Sequence, residues 1–396
     1  MELRPATHDE FDDFSRAALS AFHREYTESD RARYERIDEP ERSLAFFDDG
    51  RIVATTMAFT RSITVPGGRA VPCAGVTAVA VVPTHRRRGL LTAMMRRQLD
   101  ELREGGEAVA VLWASEGAIY GRFGYGVGTA SAHVVARRPA ARLAVRPTAG
   151  DPLRAGPAGE HVESMREIHA RLVPQRPGML ERPGAWWEDR LYDPESHRGG
   201  AQPLRAVVAE DGYALYAVRP DSDDDGPAAE VRIRELVAAT PEARAVLWDF
   251  LLDQDLTRTI AWDLAPADEP LHLMVTDSRA VRRTFGPGLS VRLVDVARAL
   301  SARSYAGDLD VVLEVTDAFC PWNEGRYRLA GEACERTDAP ADLALDVTAL
   351  AAAYLGGTTM RELAAAGRVR ELREGALAAA SVAFRGEVAP WCPEMF

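Results

Sequence analysis

The stretch of residues 76–113 constrains the fold more than any other part of this sequence. Residues 76–82 form an apolar strand that a proline ends, and the basic, glycine-containing segment 85–89 follows. A helix is predicted over residues 90–103 and a second strand over 108–113. The helix prediction rests on apolar residues that recur at helical spacing, Leu91, Met95, Leu99 and Leu102. A strand–loop–helix–strand unit places its two strands parallel, so the sequence predicts an α/β fold with mixed sheets.

The rest of the chain predicts three domains, at residues 1–140, 141–287 and 288–396, with a Pro/Gly/Ala/Arg-rich connection over 137–159. A helix over 9–23 and an antiparallel meander precede the strand–loop–helix–strand unit of residues 76–113. Residues 206–264 repeat the order of these elements, with a hairpin, a strand, a helix after Thr240 and a second strand. The repeat indicates a duplication of the first domain. The last segment mixes strands at 291–294, 310–315, 327–329 and 344–347 with helices at 348–354 and 360–366. Its apolar, aromatic C-terminus predicts burial.

Composition excludes several classes of function. The chain has 48 basic residues, all of them arginine, against 60 acidic ones, and the net charge of −12 argues against binding to nucleic acid or to anionic membranes. No apolar run reaches the roughly 18 residues of a membrane span, and the N-terminus lacks a secretory pattern. The four cysteines are far apart and no Cys/His spacing suits a metal. We therefore expect free thiols, no metal and a cytoplasmic location.

The basic segment carries the clearest chemical signal. Backbone N–H groups at the start of a helix lack partners and lie at the positive end of the helix dipole, so they suit a pyrophosphate. Arg86, Arg87 and Arg88 add charge-assisted contacts to phosphate oxygens. A solvated basic turn is the alternative, and the strand before it and the amphipathic helix after it favour the phosphate site.

Other candidate motifs fail. The glycines after residue 120 do not follow a strand and open no helix pattern, so they are not a dinucleotide fingerprint. Residues 221–226 imitate the start of a calcium loop, but Arg232 occupies the twelfth position, and a solvated hairpin loop is predicted there. The second domain has Thr240 and Pro241 where a phosphate loop needs an arginine and a glycine, so we expect it to act as scaffold.

Two long motifs resemble those of a known family. VAVVPTHRRRGLL and ASEGAIYGRFGYG are similar to the acetyl-coenzyme A loop of the GNAT acetyltransferase superfamily and, more narrowly, to the enhanced intracellular survival (Eis) family. The general superfamily has a small residue where this chain has Leu91, whereas leucine is usual in the Eis-like subgroup. The resemblance implies two tandem GNAT-like domains and a sterol-carrier-protein-like C-terminal domain, which fit the three predicted segments.

The resemblance also implies the roles of particular residues. Acetyl-coenzyme A (acetyl-CoA) would contact the backbone along the first strand, the pyrophosphate loop and the segment past the next strand. These residues are Val79, Ala80, Val81, Arg87, Arg88, Gly89, Leu90, Leu91, Thr92, Ser115 and Glu116. Tyr120 would be the general acid that protonates the departing thiolate, and the α-carboxylate of Phe396 the general base. Packing alone is the alternative interpretation of both aromatic side chains.

The implied activity is direct transfer of an acetyl group from acetyl-CoA to a primary amine, of an aminoglycoside or of a lysine- or peptide-like substrate. Such cationic substrates favour an acidic pocket, but Arg24 stands at the end of the first helix, and Glu25, Glu28, Asp30 or Glu394 would have to compensate. The family resemblance further implies a homo-oligomer, a hexamer. A lipid or small-ligand carrier with vestigial catalysis remains the alternative function, and transfer of longer acyl groups is a third.

Overall fold

The computed structural model describes residues 1–147 and 152–396, and the chain divides into two compact units. The first unit comprises Met1–Thr129, Gly288–Pro390 and Glu394–Phe396, and the second comprises Ala130–Pro287 and Trp391–Pro393. Part of the connection predicted at 137–159, residues 148–151, lies outside the described residues.

The opening stretch of the chain contains six strands and four α-helices, among which are the predicted first helix, the meander and the strand–loop–helix–strand unit. The strands are β1 (Glu2–Arg4), β2 (Ser43–Asp48), β3 (Arg51–Thr64), β4 (Ala70–Val81), β5 (Val109–Leu112) and β6 (Gly126–Val127). The helices are α1 (Phe11–Ala21), α2 (Glu28–Tyr34), α3 (Leu90–Glu104) and α4 (Gly117–Tyr120). α4 is a short helix that the sequence pattern did not predict.

The middle stretch repeats this plan. Its strands are β7 (Ala130–Arg137), β8 (Arg154–Pro157), β9 (Arg205–Ala209), β10 (Gly212–Arg219), β11 (Ser222–Asp223), β12 (Gly226–Pro227), β13 (Ala229–Ala238), β14 (Thr257–Pro266) and β15 (Val281–Pro287). Its helices are α5 (Val162–Leu172), α6 (Gly184–Leu191), α7 (Pro241–Leu252) and α8 (Leu271–Met274). The aspartate-rich segment forms the small exposed hairpin β11–β12, in which Arg258 binds Asp223.

The last stretch completes the first unit. Its strands are β16 (Ser290–Leu293), β17 (Asp310–Thr316), β18 (Gly325–Ala330), β19 (Ala333–Arg336), β20 (Leu343–Asp346) and β21 (Val369–Glu371). Its helices are α9 (Val296–Ser301), α10 (Val347–Tyr354), α11 (Met360–Ala365) and α12 (Ala376–Ala383). β17 to β21 form a five-stranded sheet of order β19-β18-β17-β20-β21.

The first unit also contains a seven-stranded sheet of order β1-β2-β3-β4-β5-β16-β6. The pairs are antiparallel except β4 with β5, which run parallel and are joined by α3, as the strand–loop–helix–strand pattern requires. β16 comes from the last stretch of the chain and lies between β5 and β6. One face of the sheet packs on α3 through residues such as Ala74, Val76, Met95 and Leu99.

The second unit has a sheet of order β15-β7-β14-β13-β10-β9-β8. Here too a parallel pair, β13 with β14, is joined by a helix, α7, and the other pairs among the described residues of this sheet are antiparallel. This recurrence confirms the predicted duplication. Within residues 1–147 and 152–396, no helix has the length and apolar character that crossing a membrane requires.

Candidate active site

A β-bulge interrupts the middle of β4. Ala78 has a φ of +52°, which is uncommon for a residue with a side chain, and Thr55 Oγ1 on β3 donates a hydrogen bond of 2.7 Å to the Ala78 carbonyl. The register between β3 and β4 shifts at this point, so that the paired residues change from Met57 and Thr77 to Thr55 and Ala80. A bulge bends its strand and increases the local twist, and this one lies beyond Gly75, the last β4 residue that pairs with β5.

The parallel pairing of β4 with β5 is short. It joins Cys73–Gly75 to Val109–Val111, although β4 continues to Val81. Val82 donates its amide to Val53 on β3 at 3.0 Å, and successive amides of a strand point to opposite edges, so the backbone groups of Val81 face away from β3. The edge over Val79, Ala80 and Val81 is therefore open to an extended ligand.

The segment between β4 and α3 has the geometry of an anion site. Arg87 has a φ of +64° and Gly89, the N-cap of α3, a φ of +81°. Glycine has no side chain to cap the first amides of the helix, and the four residues from Arg86 to Gly89 are exposed. Leu90 is buried, Leu91 is half-buried and Thr92 is exposed, so Leu90 can offer a ligand little beyond its backbone. The arrangement suits a pyrophosphate, with cationic side chains beside free helix amides.

The side chain of His85 links this segment to the end of β2. His85 Nδ1 lies 2.8 Å from Thr84 Oγ1, and its Nε2 lies 3.0 Å from Asp48 Oδ2 at the end of β2. Hydrogen bonding to His85 lowers the pKa of Asp48. Arg88 Nη2 donates to the Thr84 carbonyl at 3.0 Å. These contacts fix the turn that presents the amides of α3.

Tyr120 ends the short helix α4, which Ser115 and Glu116 precede. The Ile119 amide bonds to the Glu116 carbonyl at 3.1 Å, and the Tyr120 ring makes an edge contact with Tyr125 at 5.9 Å between centroids. Burial, and to a lesser extent the charge of Glu116, raises the pKa of Tyr120 to about 12. The phenol therefore keeps its proton across the physiological range, as a proton donor must.

The glycines after Tyr120 pack against the last stretch of the chain. Gly124 has a φ of +83°, and a Cβ there would lie 2.1 Å from Nη1 of the buried Arg292, whose Nη2 bonds to Asp317 at 2.6 Å. A Cβ at Gly126 would lie 2.2 Å from the carbonyl oxygen of Thr348 on α10. Elements from residue 288 onward thus support the loop that carries Tyr120.

The last three residues of the chain dock on the seven-stranded sheet of the first unit. The Phe396 ring makes an edge contact with Phe59 at 6.4 Å and lies over Gly75, where an added Cβ would be 3.2 Å from Phe396 Cε2. The Glu394 carboxylate contacts the Arg61 guanidinium at 2.5 Å, and Trp113 Nε1 donates to the Glu394 carbonyl at 2.5 Å.

The contact with Trp113 relates the two predicted catalytic residues. Trp113 directly follows β5, and Tyr120 lies seven positions further along the same segment. Glu394 is therefore held beside the segment that carries Tyr120. Met395, between Glu394 and Phe396, is 60% exposed.

Of the four acidic residues considered as compensation for Arg24, Asp30 and Glu394 have arginine partners, whereas Glu25 and Glu28 are exposed. Asp30 is buried, accepts hydrogen bonds from Thr27 and lies 3.7 Å from the Arg24 guanidinium. Glu394 is paired with Arg61. Sequence reasoning missed Arg61 and Trp113, although an arginine at an inward-facing position of the apolar strand β3 is a signal that could have been noticed.

The parallel pair of the second unit, β13 with β14, differs from the pair β4 and β5 in the helix that joins its strands. Thr240 Oγ1 accepts a hydrogen bond of 3.1 Å from the Ala243 amide, so a side chain caps the first turn of α7. Beyond the last paired residues of β13 and β14, Trp391 Nε1 donates to the Leu264 carbonyl at 2.7 Å. Arg190 donates to the carbonyls of Pro393, at 3.3 Å, and Arg234, at 2.9 Å. Trp391 is buried, as the apolar C-terminus predicted.

No group of three or more His, Cys, Asp or Glu side chains in the part of the chain that the structure describes is placed to hold a metal ion. All four cysteines are buried, and none of them forms a disulfide bond.

Comparison with known proteins agrees with this architecture. A family model described as an acetyltransferase (GNAT) domain matches residues 2–128, and a second model of the same description matches residues 178–293. A sterol carrier protein domain model matches residues 296–393. The three matches cover the chain in the order expected from its motifs.

Several relatives span nearly the whole chain. An uncharacterized N-acetyltransferase of Streptomyces avermitilis is 48% identical over 377 residues, which are 93% of this chain and 92% of the relative. The N-acetyltransferase Eis of Mycobacterium tuberculosis is 37% identical over 349 residues, 85% of this chain and 84% of Eis. The crystal structure of Eis1 from Mycobacterium abscessus matches with a TM-score of 0.89 and 34% identity over 100% of both chains.

GNAT acetyltransferases use acetyl-CoA, and the open edge of β4 and the uncapped start of α3 fit that cosubstrate. Taken with the relatives and the order of the domains, these features show that the chain is an acetyltransferase and belongs to the Eis family of N-acetyltransferases, with two tandem GNAT domains and a C-terminal sterol-carrier-protein domain.

Proposed function

We propose that this enzyme transfers an acetyl group from acetyl-CoA directly to a primary amine, with both substrates bound at once. The observation that carries the proposal is the docking of Glu394–Phe396 on the sheet beside the segment that leads to Tyr120. It supports a site in which a carboxylate and a phenol act on the same substrate. No cysteine offers an alternative acyl carrier, because all four are buried.

We assign the binding of acetyl-CoA to three segments. The open edge of β4 would pair with the pantetheine arm through Val79, Ala80 and Val81, as an added strand does. The start of α3 would hold the pyrophosphate, and the residues before α4 would line the other side. The residues of these two segments are Arg87, Arg88, Gly89, Leu90, Leu91, Thr92, Ser115 and Glu116.

In the proposed reaction the α-carboxylate of Phe396 takes a proton from the ammonium form of the substrate, so that the amine can attack the thioester carbonyl. A C–N bond forms and the C–S bond breaks. Tyr120, whose raised pKa of about 12 leaves the phenol protonated, donates its proton to the departing sulfur. The proton that the acylated nitrogen then loses returns the tyrosinate to the phenol, and the carboxylate releases its proton to solvent, so that the net products are the acetamide, the coenzyme A thiol and one proton. The cosubstrate supplies the activated acyl group, and the protein supplies position and both proton transfers.

We propose that the amine belongs to an aminoglycoside or to a lysine- or peptide-like substrate. Because Asp30 and Glu394 each have an arginine partner, the test must include amines of low charge as well as polycations. By family resemblance we also propose a homohexamer in the cytoplasm, and sedimentation equilibrium of the purified protein measures the assembly.

The deciding experiment measures release of the coenzyme A thiol from acetyl-CoA over a panel of aminoglycosides, polyamines, lysine and lysine-containing peptides, with an untagged C-terminus. The chain has no lysine, so self-acetylation of lysine side chains adds no background. Tyr120→Phe should lower kcat by about 10²- to 10⁴-fold and leave the Kd for acetyl-CoA nearly unchanged. Tyr125→Phe is the matched control, because its buried hydroxyl has no hydrogen-bond partner among the described residues.

The C-terminal base is tested on the same panel. Deletion of Phe396, or addition of one glycine after it, should abolish turnover, because either change moves or removes the α-carboxylate. Phe396→Leu keeps the carboxylate and should retain most of the activity. Wild-type turnover in Tyr120→Phe would refute the general acid, and an active glycine-extended enzyme would refute the general base. Failure to bind acetyl-CoA would favour the ligand-carrier alternative.

A further inference from the structure

The buried ion pair between Arg61 and Glu394 has no part in the proposed chemistry. The two side chains are 1% and 7% exposed, and 333 positions of sequence separate them. Removing two charges from water costs more than a typical buried pair returns, so such a pair is a weak source of stability. Its geometry is strongly directional, because a planar guanidinium meets a carboxylate in few orientations.

Glu394 stands two residues before the end of the chain. An extended chain advances about 3.3–3.6 Å per residue, so fixing residue 394 keeps the terminal carboxylate within roughly 7 Å of that residue. Two neighbouring contacts restrict the position of the carboxylate further, because Trp113 binds the main-chain carbonyl of Glu394 and the Phe396 ring lies over Gly75. Met395, between them, is exposed, which is the alternation of an extended segment lying on a sheet.

The sheet places these groups on one face. Phe59 pairs with Gly75 and Arg61 pairs with Cys73 across β3 and β4, and alternate residues of a strand share a face. Arg61 therefore projects on the same side as the surface that Phe396 covers.

We propose that Arg61 and Trp113 are positioning residues that clamp Glu394 and so place the α-carboxylate of Phe396 for proton abstraction. This inference rests on the proposed function of Phe396. Arg61 acts through its ion pair with the side chain, and Trp113 through the main chain of the same residue. Neither contact requires either residue to touch the substrate.

The first test removes the pair without leaving a buried charge alone. The variant Arg61→Met/Glu394→Met should keep the wild-type melting temperature within a few degrees, because apolar residues replace a buried ion pair at little cost. We expect kcat to fall about 10- to 100-fold, the Kd for acetyl-CoA to change less than twofold, and the acid limb of the kcat/KM profile to move. The control Arg244→Met/Glu269→Gln removes an ion pair of the second unit, in which the glutamate is buried and the arginine is 17% exposed, and it should leave kcat unchanged.

The second test does not depend on turnover and also serves if the double variant folds poorly. Carboxypeptidase A prefers aromatic C-terminal residues, and mass spectrometry follows its release of Phe396. Release should be at least tenfold faster in Arg61→Met and in Trp113→Phe than in the wild type and the control, whereas Arg61→Lys should restore slow release in part.

The outcomes separate this inference from the proposed function. Wild-type kcat in the double variant, or unchanged release of Phe396 in Arg61→Met, overturns the clamp while the role of Phe396 stands. If wild-type enzyme from which Phe396 has been released remains active, the proposed base is wrong, and the clamp fails with it.

Discussion

Replacing Gly124 with alanine tests whether the last stretch of the chain supports the Tyr120 loop. The backbone at Gly124 has a φ of +83°, which costs an alanine about 1–2 kcal/mol. The new Cβ would also lie 2.1 Å from Nη1 and 2.6 Å from Cζ of Arg292. Overpacking of this kind adds about 1–3 kcal/mol, and Arg292 cannot yield easily because Asp317 binds it. We therefore expect a loss of about 2–5 kcal/mol in the free energy of unfolding.

The matched control is Gly121→Ala, three positions earlier in the same motif. Gly121 has a right-handed helical backbone, and a Cβ there would meet no atom within 4 Å. An alanine at a compatible position reduces the entropy of the unfolded chain, so this variant should gain up to about 1 kcal/mol.

Differential scanning calorimetry of the two variants checks both magnitudes. At about 2–4 °C per kcal/mol for domains of 150–250 residues, Gly124→Ala should lower the melting temperature by about 10 °C. Displacement of Tyr120 by about 1 Å should also lower kcat by up to about 10²-fold at temperatures where the protein stays folded. A melting temperature equal to that of the wild type, or an equal loss in Gly121→Ala, would refute the argument.

Three further measurements follow from the ionisable groups. Because burial and Glu116 raise the pKa of Tyr120 to about 12, kcat should not decline up to about pH 10, and Glu116→Gln should move the basic limb of the profile to lower pH. Burial opposes ionisation of Glu235, but the charges of Arg182 and a second arginine outweigh it and hold the pKa of Glu235 well below its usual range. The contribution of this carboxylate to the free energy of unfolding is therefore fully present above about pH 4.5, and it decreases as the pH drops toward the pKa of the folded state. For this reason Arg182→Met should lower the urea midpoint at pH 7 more than at pH 3. Burial also raises the pKa of Cys334 to about 12, so iodoacetamide at pH 8 should alkylate it only in urea, and rapid alkylation of the native protein would contradict this.

The parts of the fold that the sequence predicts well are those set by local pattern. The strand, basic loop, helix and strand from β4 to β5 depend on spacing within a few dozen residues, and the structure places them within one or two residues of the prediction at α3. The second unit was recognisable for the same reason, because its hairpin, its Thr240-capped helix and its strands recur in the same order. Hydrophobic periodicity and capping residues act locally, and a single sequence contains both.

Contacts between distant segments could not be predicted in this way. β16 inserts between β5 and β6 although about 180 residues separate Leu112 from Ser290, and nothing in its four residues specifies that neighbour. The glycines after Tyr120 looked alike in the sequence, yet Gly121 faces open space whereas Gly126 contacts the backbone of α10. The difference depends on residues from Gly288 onward, whose position a motif does not encode.

The end of the chain shows why the sequence predicted the candidate site only in part. Its apolar character predicted burial, but that character does not distinguish Trp391, which packs in the second unit, from Phe396, which lies on the sheet of the first. The proposed base is a main-chain carboxylate, so its charge comes from position and not from residue type, and the phenylalanine that bears it counts as apolar in any pattern. Glu394 is the residue whose type does carry a charge, and that charge is matched by Arg61. The acidic side chain near the end of the chain therefore serves as the anchor in our proposal, and the apolar residue supplies the reactive group.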